Sequence, residues 1–125
     1  MKHATVAVVD ADRKQGQECC VLVRELGYPA TLFSSLEELA GRLANDPPQA
    51  VMLDLDTVAS DPQFLRGLKK KHPHLHFLGM SRLRYHPGLE EVIGALLYAC
   101  LLKPLDPEEL AFWLKSISDH KSTND

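Results

Sequence analysis

Val51-Met52-Leu53-Asp54-Leu55-Asp56-Thr57-Val58 (residues 51–58, VMLDLDTV) begins as an apolar run, then presents two carboxylates one residue apart and a threonine. Three chemistries suit this pattern: the nucleophile and acid of a phosphatase, a phosphate-accepting switch, or a plain turn. The flanking sequence has to separate them. Ala50 to Leu53 reads as a strand buried on both faces, and the same signature, a β-branched apolar run closed by an acid, occurs at Thr5 to Val9 ahead of Asp10.

Outward from these two strands, the chain alternates. Asp12 is placed to cap a helix with Gln15 at its third position, and Cys19, Leu22, Val23 and Leu26 recur at helical spacing before Gly27 ends it. Ala30 to Phe33 is a short strand. Ser35 with Glu38 forms a capping box for a helix carrying Leu36, Leu39, Ala40 and Leu43, stopped by Asn45-Asp46-Pro47-Pro48. Asp61-Pro62 is an N-cap followed by proline at the first helical position, opening a helix to about Lys71. Leu75 to Met80 is the fourth strand, and Pro87 opens a helix with Leu89, Val92, Ile93 and Leu96. Ala99 to Leu102 is the fifth strand, and Asp106-Pro107 starts a last helix with Leu110, Trp113, Leu114 and Ile117 on one face.

Five βα units predict an α/β fold, a doubly wound five-stranded parallel sheet with helices on both faces, since parallel crossovers need helices. In such sheets ligands bind beyond the carboxyl ends of the strands. Asp10, Asp54, Ser81 and Lys103 each stand at one of those ends.

Composition sets the limits. The 125 residues, 45% of them hydrophobic, suffice for one domain with its own core, taken as residues 1–118; residues 119–125 form a polar tail or the start of a linker to an output domain that is absent here. Cys19, Cys20 and Cys100 supply neither a disulfide framework nor a CxxC pair, which suits a reducing cytoplasm. No apolar run approaches the ~20 residues of a membrane span, and no signal peptide opens the chain. A net charge of −3 and basic clusters as short as Lys69-Lys70-Lys71 and Arg82-Leu83-Arg84 argue against direct binding of nucleic acid.

Two acids, a hydroxyl and an ammonium on one rim make a phosphoryl site in physical terms. The carboxylates suit a hard cation such as Mg²⁺, Asp54 suits the nucleophile, and Lys103 and Ser81 suit the phosphoryl oxygens. On the strength of VAVVD ending at Asp10, VMLD ending at Asp54, FLGMS ending at Ser81 and LLKPLDPEEL with Lys103 before Pro104, the chain resembles a response-regulator receiver domain from Thr5 to Ile117. The resemblance implies the flavodoxin-like strand order 2-1-3-4-5. It also implies Asp54 as phosphoacceptor, Lys103 and Ser81 as phosphate contacts, and Mg²⁺ held by Asp10, Asp54 and the backbone carbonyl of Asp56. The phosphodonor it implies is a sensor histidine kinase or a phosphotransfer protein.

Departures from that family pattern matter. Ala11 stands where the family carries a second acid that ligates the metal directly, which weakens Mg²⁺ binding. Cys100 stands where the family usually has an aromatic ring. Leu96-Leu97-Tyr98 adds apolar surface to the face of the fourth helix, fifth strand and fifth helix, the expected relay surface and a candidate homodimer contact. Asp56 reads as a turn residue whose side chain faces solvent. His72, His74 and His76 would share one side if their segment is extended, a crude chelate more simply read as exposed histidines entering a strand.

Two rivals remain. VMLDLDTV resembles the first motif of haloacid-dehalogenase-type phosphatases, Asp-x-Asp-x-Thr after an apolar strand. In that family a further acidic strand follows the lysine, whereas here the acid lies upstream at Asp10. The other rival is a degenerate receiver, a phosphorylation-independent interaction or dimerisation module.

Overall fold

The computed structural model describes residues 4–83 and 95–123, with side chains as far as Asp119. Five parallel strands, β1 (Val6–Val9), β2 (Ala30–Phe33), β3 (Ala50–Asp54), β4 (His76–Ser81) and β5 (Leu97–Leu102), form one sheet in the order β2-β1-β3-β4-β5. The expected architecture is therefore present. Helices α1 (Arg13–Glu25), α2 (Leu36–Ala40) and α3 (Pro62–Lys71) connect the strands, and a C-terminal helix spans Pro107–Thr123. The helix expected from Pro87 lies outside the described residues except for Ala95 and Leu96.

Strand pleating divides the core in two. Val6 and Val8 of β1 point to the face covered by α1 and the C-terminal helix, where Cys19, Val23, Leu110, Leu114 and Ile117 pack. Ala7 and Val9 point to the other face, against Leu36 and Leu39 of α2 and Leu65 and Leu68 of α3. Each fully buried leucine or valine contributes about 1.5–3 kcal/mol. That both faces are covered explains why β1, and β3 as far as Leu53, are apolar throughout.

The caps hold the helices where the sequence places them. Asp12 accepts from the Gln15 N–H at 3.1 Å, Ser35 from the Glu38 N–H at 3.1 Å and Asp61 from the Gln63 N–H at 3.1 Å. Gly27, with φ at +99°, ends α1 in a conformation that a Cβ would strain.

Three boundaries depart from expectation. The regular helix α2 stops at Ala40, and Leu43 reaches its buried position from the turns that follow. β5 begins at Leu97, because Leu97 pairs with Phe77 before an irregularity in the ladder. The final helix continues through the polar residues to Thr123. The three histidines do not share one extended segment: His72 caps α3, His74 lies in a turn and His76 opens β4.

Candidate functional site

Parallel register builds the site. Val9 pairs with Leu53, so the next residues, Asp10 and Asp54, emerge side by side although far apart in sequence. Lys103 follows β5 and donates its N–H to the Ser81 carbonyl at 2.8 Å, which sets its side chain over the same edge. The Lys103 Nζ lies 2.6 Å from Asp54 Oδ1 and 2.9 Å from Asp56 Oδ2. Asp54 and Ser81 are wholly buried and Asp10 nearly so, an arrangement that buried carboxylates tolerate only when furnished with donors.

Those donors include two residues whose roles were not anticipated. Thr57 Oγ1 stands between the acids, 3.1 Å from Asp10 Oδ1 and 2.8 Å from Asp54 Oδ2, and its single proton serves one of them at a time. It accepts in turn from the Ala11 N–H at 3.1 Å. Gln15 donates from Nε2 to Asp10 Oδ2 at 2.7 Å and to Asp54 Oδ2 at 3.2 Å, while its Oε1 accepts from Lys103 at 3.1 Å. The capping box thus goes uncompleted: Gln15 reaches into the site, and Asp10 Oδ1 takes the Asp12 N–H at 2.8 Å instead.

Asp56 lies in a turn, as expected, but its side chain, 21% exposed, turns toward the site rather than standing free in solvent. It accepts from Ser81 Oγ at 2.9 Å and from the Arg82 N–H at 2.9 Å besides pairing with Lys103. Burial pushes the Asp56 carboxyl up, but the hydrogen bonds from Lys103, Arg82 and Ser81 outweigh it and hold the group below its usual value. For Lys103, burial pulls downward while Asp54 and Asp56 prevail and raise the ammonium above the lysine value. Ser81 is accordingly brought to Asp56, with its Oγ also accepting from the Leu83 N–H at 3.0 Å.

A cavity of about 520 Å³ opens beside these groups, lined by Asp10, Gln15, Cys19, Asp54, Arg82 and Lys103 among others. A hard cation finds two convergent carboxylates here, at Asp10 and Asp54, and the Thr57 hydroxyl as a neutral oxygen between them. Ala11 offers no side-chain ligand, so the donor set suits Mg²⁺ but is one acid short of a strong site. No described group of three His, Cys, Asp or Glu side chains has metal-binding geometry.

On the expected relay face, Tyr98, Cys100 and Leu102 alternate to the surface along β5, and Phe112 is 63% exposed on the C-terminal helix. Tyr98 meets the Trp113 ring edge-on at 5.7 Å. The helix that would complete this face is outside the described residues.

No protein-family model and no curated protein matches the sequence. Solved structures do match the fold. A response-regulator receiver-domain protein from Methanospirillum hungatei aligns over 99% of this chain and 100% of its own, with a TM-score of 0.82 and 15% identity. One from Clostridium thermocellum covers 98% of this chain and 99% of its own at a TM-score of 0.81 and 21% identity. A protein from Burkholderia pseudomallei described as pilus assembly-related covers 93% and 90% at a TM-score of 0.78 and 22% identity. The chain has the receiver-domain fold. No described helix is long and apolar enough to cross a membrane.

Proposed function

We propose that this chain is the phosphoacceptor receiver domain of a response regulator, taking a phosphoryl group on Asp54 from a sensor histidine kinase or a phosphotransfer protein. The observation that carries this reading is the Asp54 carboxylate at the end of β3, gripped by the Lys103 ammonium at 2.6 Å and opening on a cavity. Transfer would break the donor's N–P bond and form an O–P bond to Asp54, with Lys103 and Ser81 binding the phosphoryl oxygens. Asp10, Asp54 and the Asp56 carbonyl would hold Mg²⁺, weakly because of Ala11; when bound it supplies positive charge opposite the phosphoryl oxygens.

Phosphorylation would be relayed through the face built on β5 and the C-terminal helix, which also offers a homodimer contact through Tyr98 and Phe112. In this reading residues 1–118 are the signalling domain, and residues beyond it lead toward an output domain in the cytoplasm. The pilus assembly-related neighbour carries the same fold, so the fold alone does not select transcription as the output.

Intact-mass measurement after incubation with acetyl phosphate and Mg²⁺ tests the proposal. One phosphoryl adduct on the wild type and none on Asp54→Asn is expected; no adduct at saturating Mg²⁺ sinks it. Ala11 and the surface position of Cys100 favour one other reading, a phosphorylation-independent interaction module, which predicts no adduct and unchanged partner binding in Asp54→Asn. The phosphatase reading loses support, since the Asp56 carboxylate that would protonate a leaving group is committed to Ser81, Arg82 and Lys103.

A further inference from the structure

Three donors of different kinds converge on one side chain in this site. A hydroxyl (Ser81), a backbone amide (Arg82) and an ammonium (Lys103) each reach the Asp56 carboxylate at 2.9 Å. Two of the three, Ser81 and Lys103, are the groups that a phosphoryl group on Asp54 requires under the reading above, on which this inference rests. A carboxylate and a phosphoryl group present the same feature to such donors, a pair of anionic oxygens. Both cannot take the same hydrogen bonds at once.

We propose that Asp56 is an internal stand-in for the phosphoryl group: its carboxylate fills the anion-binding half of the site in the unmodified chain and holds Ser81, Arg82 and Lys103 together. Two consequences follow from charge and geometry. An incoming phosphoryl group must expel Asp56 before Ser81 and Lys103 can bind it, so modification of Asp54 is opposed. Ser81 to Leu83, where the chain leaves β4, already have the anchor that phosphorylation would otherwise supply, so their arrangement is set without a phosphodonor.

The contrast with Asp54 supports this division of labour. Asp54 Oδ2 is served by Thr57 and Gln15, donors of the acid cluster, and shares only Lys103 with Asp56. The ammonium therefore bridges two half-sites: one acidic, suited to a cation, and one rich in donors, suited to an anion and occupied from within.

Inorganic phosphate, titrated at constant ionic strength into wild type, Asp56→Asn and Asp56→Ala, tests the proposal. The readouts are the melting temperature and the ¹H–¹⁵N resonances of Arg82 and Leu83. Asn keeps the shape and one acceptor but removes the charge, and Ala empties the position. Both variants are expected to bind phosphate at least about tenfold more tightly than wild type, the scale of one hydrogen bond to a charged group. The Arg82 amide should move with phosphate in the variants and stay still in wild type over the same range. Equal phosphate affinity in wild type and Asp56→Asn overturns the stand-in, and if the alanine variant does not fold the asparagine variant decides alone.

Acetyl phosphate labelling of the same proteins separates the two proposals. A wild type that gains its Asp54 adduct as fast as Asp56→Asn keeps the phosphoacceptor and removes the stand-in. Tighter phosphate binding in the variants with no adduct on any of them removes the phosphoacceptor and keeps the stand-in as an internal anion.

Discussion

Replacing Lys103 by methionine removes the cation from a cluster of three carboxylates while keeping an aliphatic side chain of similar length. In the wild type the Lys103 side chain is only 10% exposed and serves Asp54 at 2.6 Å and Asp56 at 2.9 Å. Truncating one partner of a buried pair costs about 3–5 kcal/mol, because the remaining charge is left without compensation. Two features lower that figure here: the neutral donors Gln15 and Thr57 stay on Asp54, and the cavity admits water. A loss of about 3 kcal/mol at pH 7 is the expected value, or roughly 10 °C in melting temperature for a domain of this size. Urea and thermal unfolding followed by circular dichroism in chelator-treated buffer measure it.

The pH profile gives the sharper check. Asp56 is held below its ordinary value of 3.8, so its contribution is present above that value and is lost as pH falls through the lower folded one. Lys103 is held above 10.5, so its contribution is present below 10.5 and is lost as pH rises through the higher folded one. The wild-type contribution of Asp56 and Lys103 is therefore flat between about pH 5 and pH 10 by the same linkage. In Lys103→Met the hydrogen bond that does most to lower the Asp56 carboxyl is gone, so the loss of stability on acidification below about pH 5 should be smaller than in the wild type. A variant that loses under about 1 kcal/mol, or whose loss of stability in acid equals that of the wild type, refutes the view of Lys103 as the charge that holds the site together.

Thr57→Val deletes the hydroxyl between Asp10 and Asp54 at nearly constant volume and is expected to cost about 1–3 kcal/mol, the toll of a buried acceptor losing its donor. A urea midpoint unchanged from wild type contradicts it. Among the thiols, burial and then the neighbouring Cys20 thiol push Cys19 to about 12, so at pH 8 it should resist iodoacetamide in the folded protein, while exposed Cys100 takes the first label. Peptide mapping that finds Cys19 labelled ahead of Cys100 goes against the packing described.

How much was legible depended on how local the governing physics was. β1 and β3 announce themselves because both faces are covered, so every position is apolar and an acid marks the exit. The sequence marks β5 two residues short because it is an edge strand with alternate residues outside, and Leu97-Tyr98 looks like loop until Phe77 is there to pair with. Leu43 suggested a longer α2, yet a buried leucine can be delivered by a turn as well as by a helix. The rim residues Asp10, Asp54, Ser81 and Lys103 followed from strand ends alone. The direction of a side chain in the turn beyond a strand obeys no period, which hid the inward aim of Asp56 and the bridging by Thr57. Gln15 was visible as a cap position, but only the fold shows Lys103 and Asp54 within its reach.

The hydrogen bond from the Ala4 N–H to Ser118 Oγ ties the approach to β1 to the C-terminal helix. This knot lies at the amino edge of the sheet, and the five residues of β3 at about 3.3 Å each put it about 17 Å from the carboxylates. The molecule therefore has a mounting end and a working end. A fluorophore, tether or second domain joined beyond the C-terminal helix departs from the side away from the cavity, leaving it clear for small probes. The closeness of Ala4 and Ser118 also marks a seam where a short peptide could splice the chain into a circle and let it be reopened elsewhere, a route to placing reporters beside Asp54 without cutting the strands that carry it.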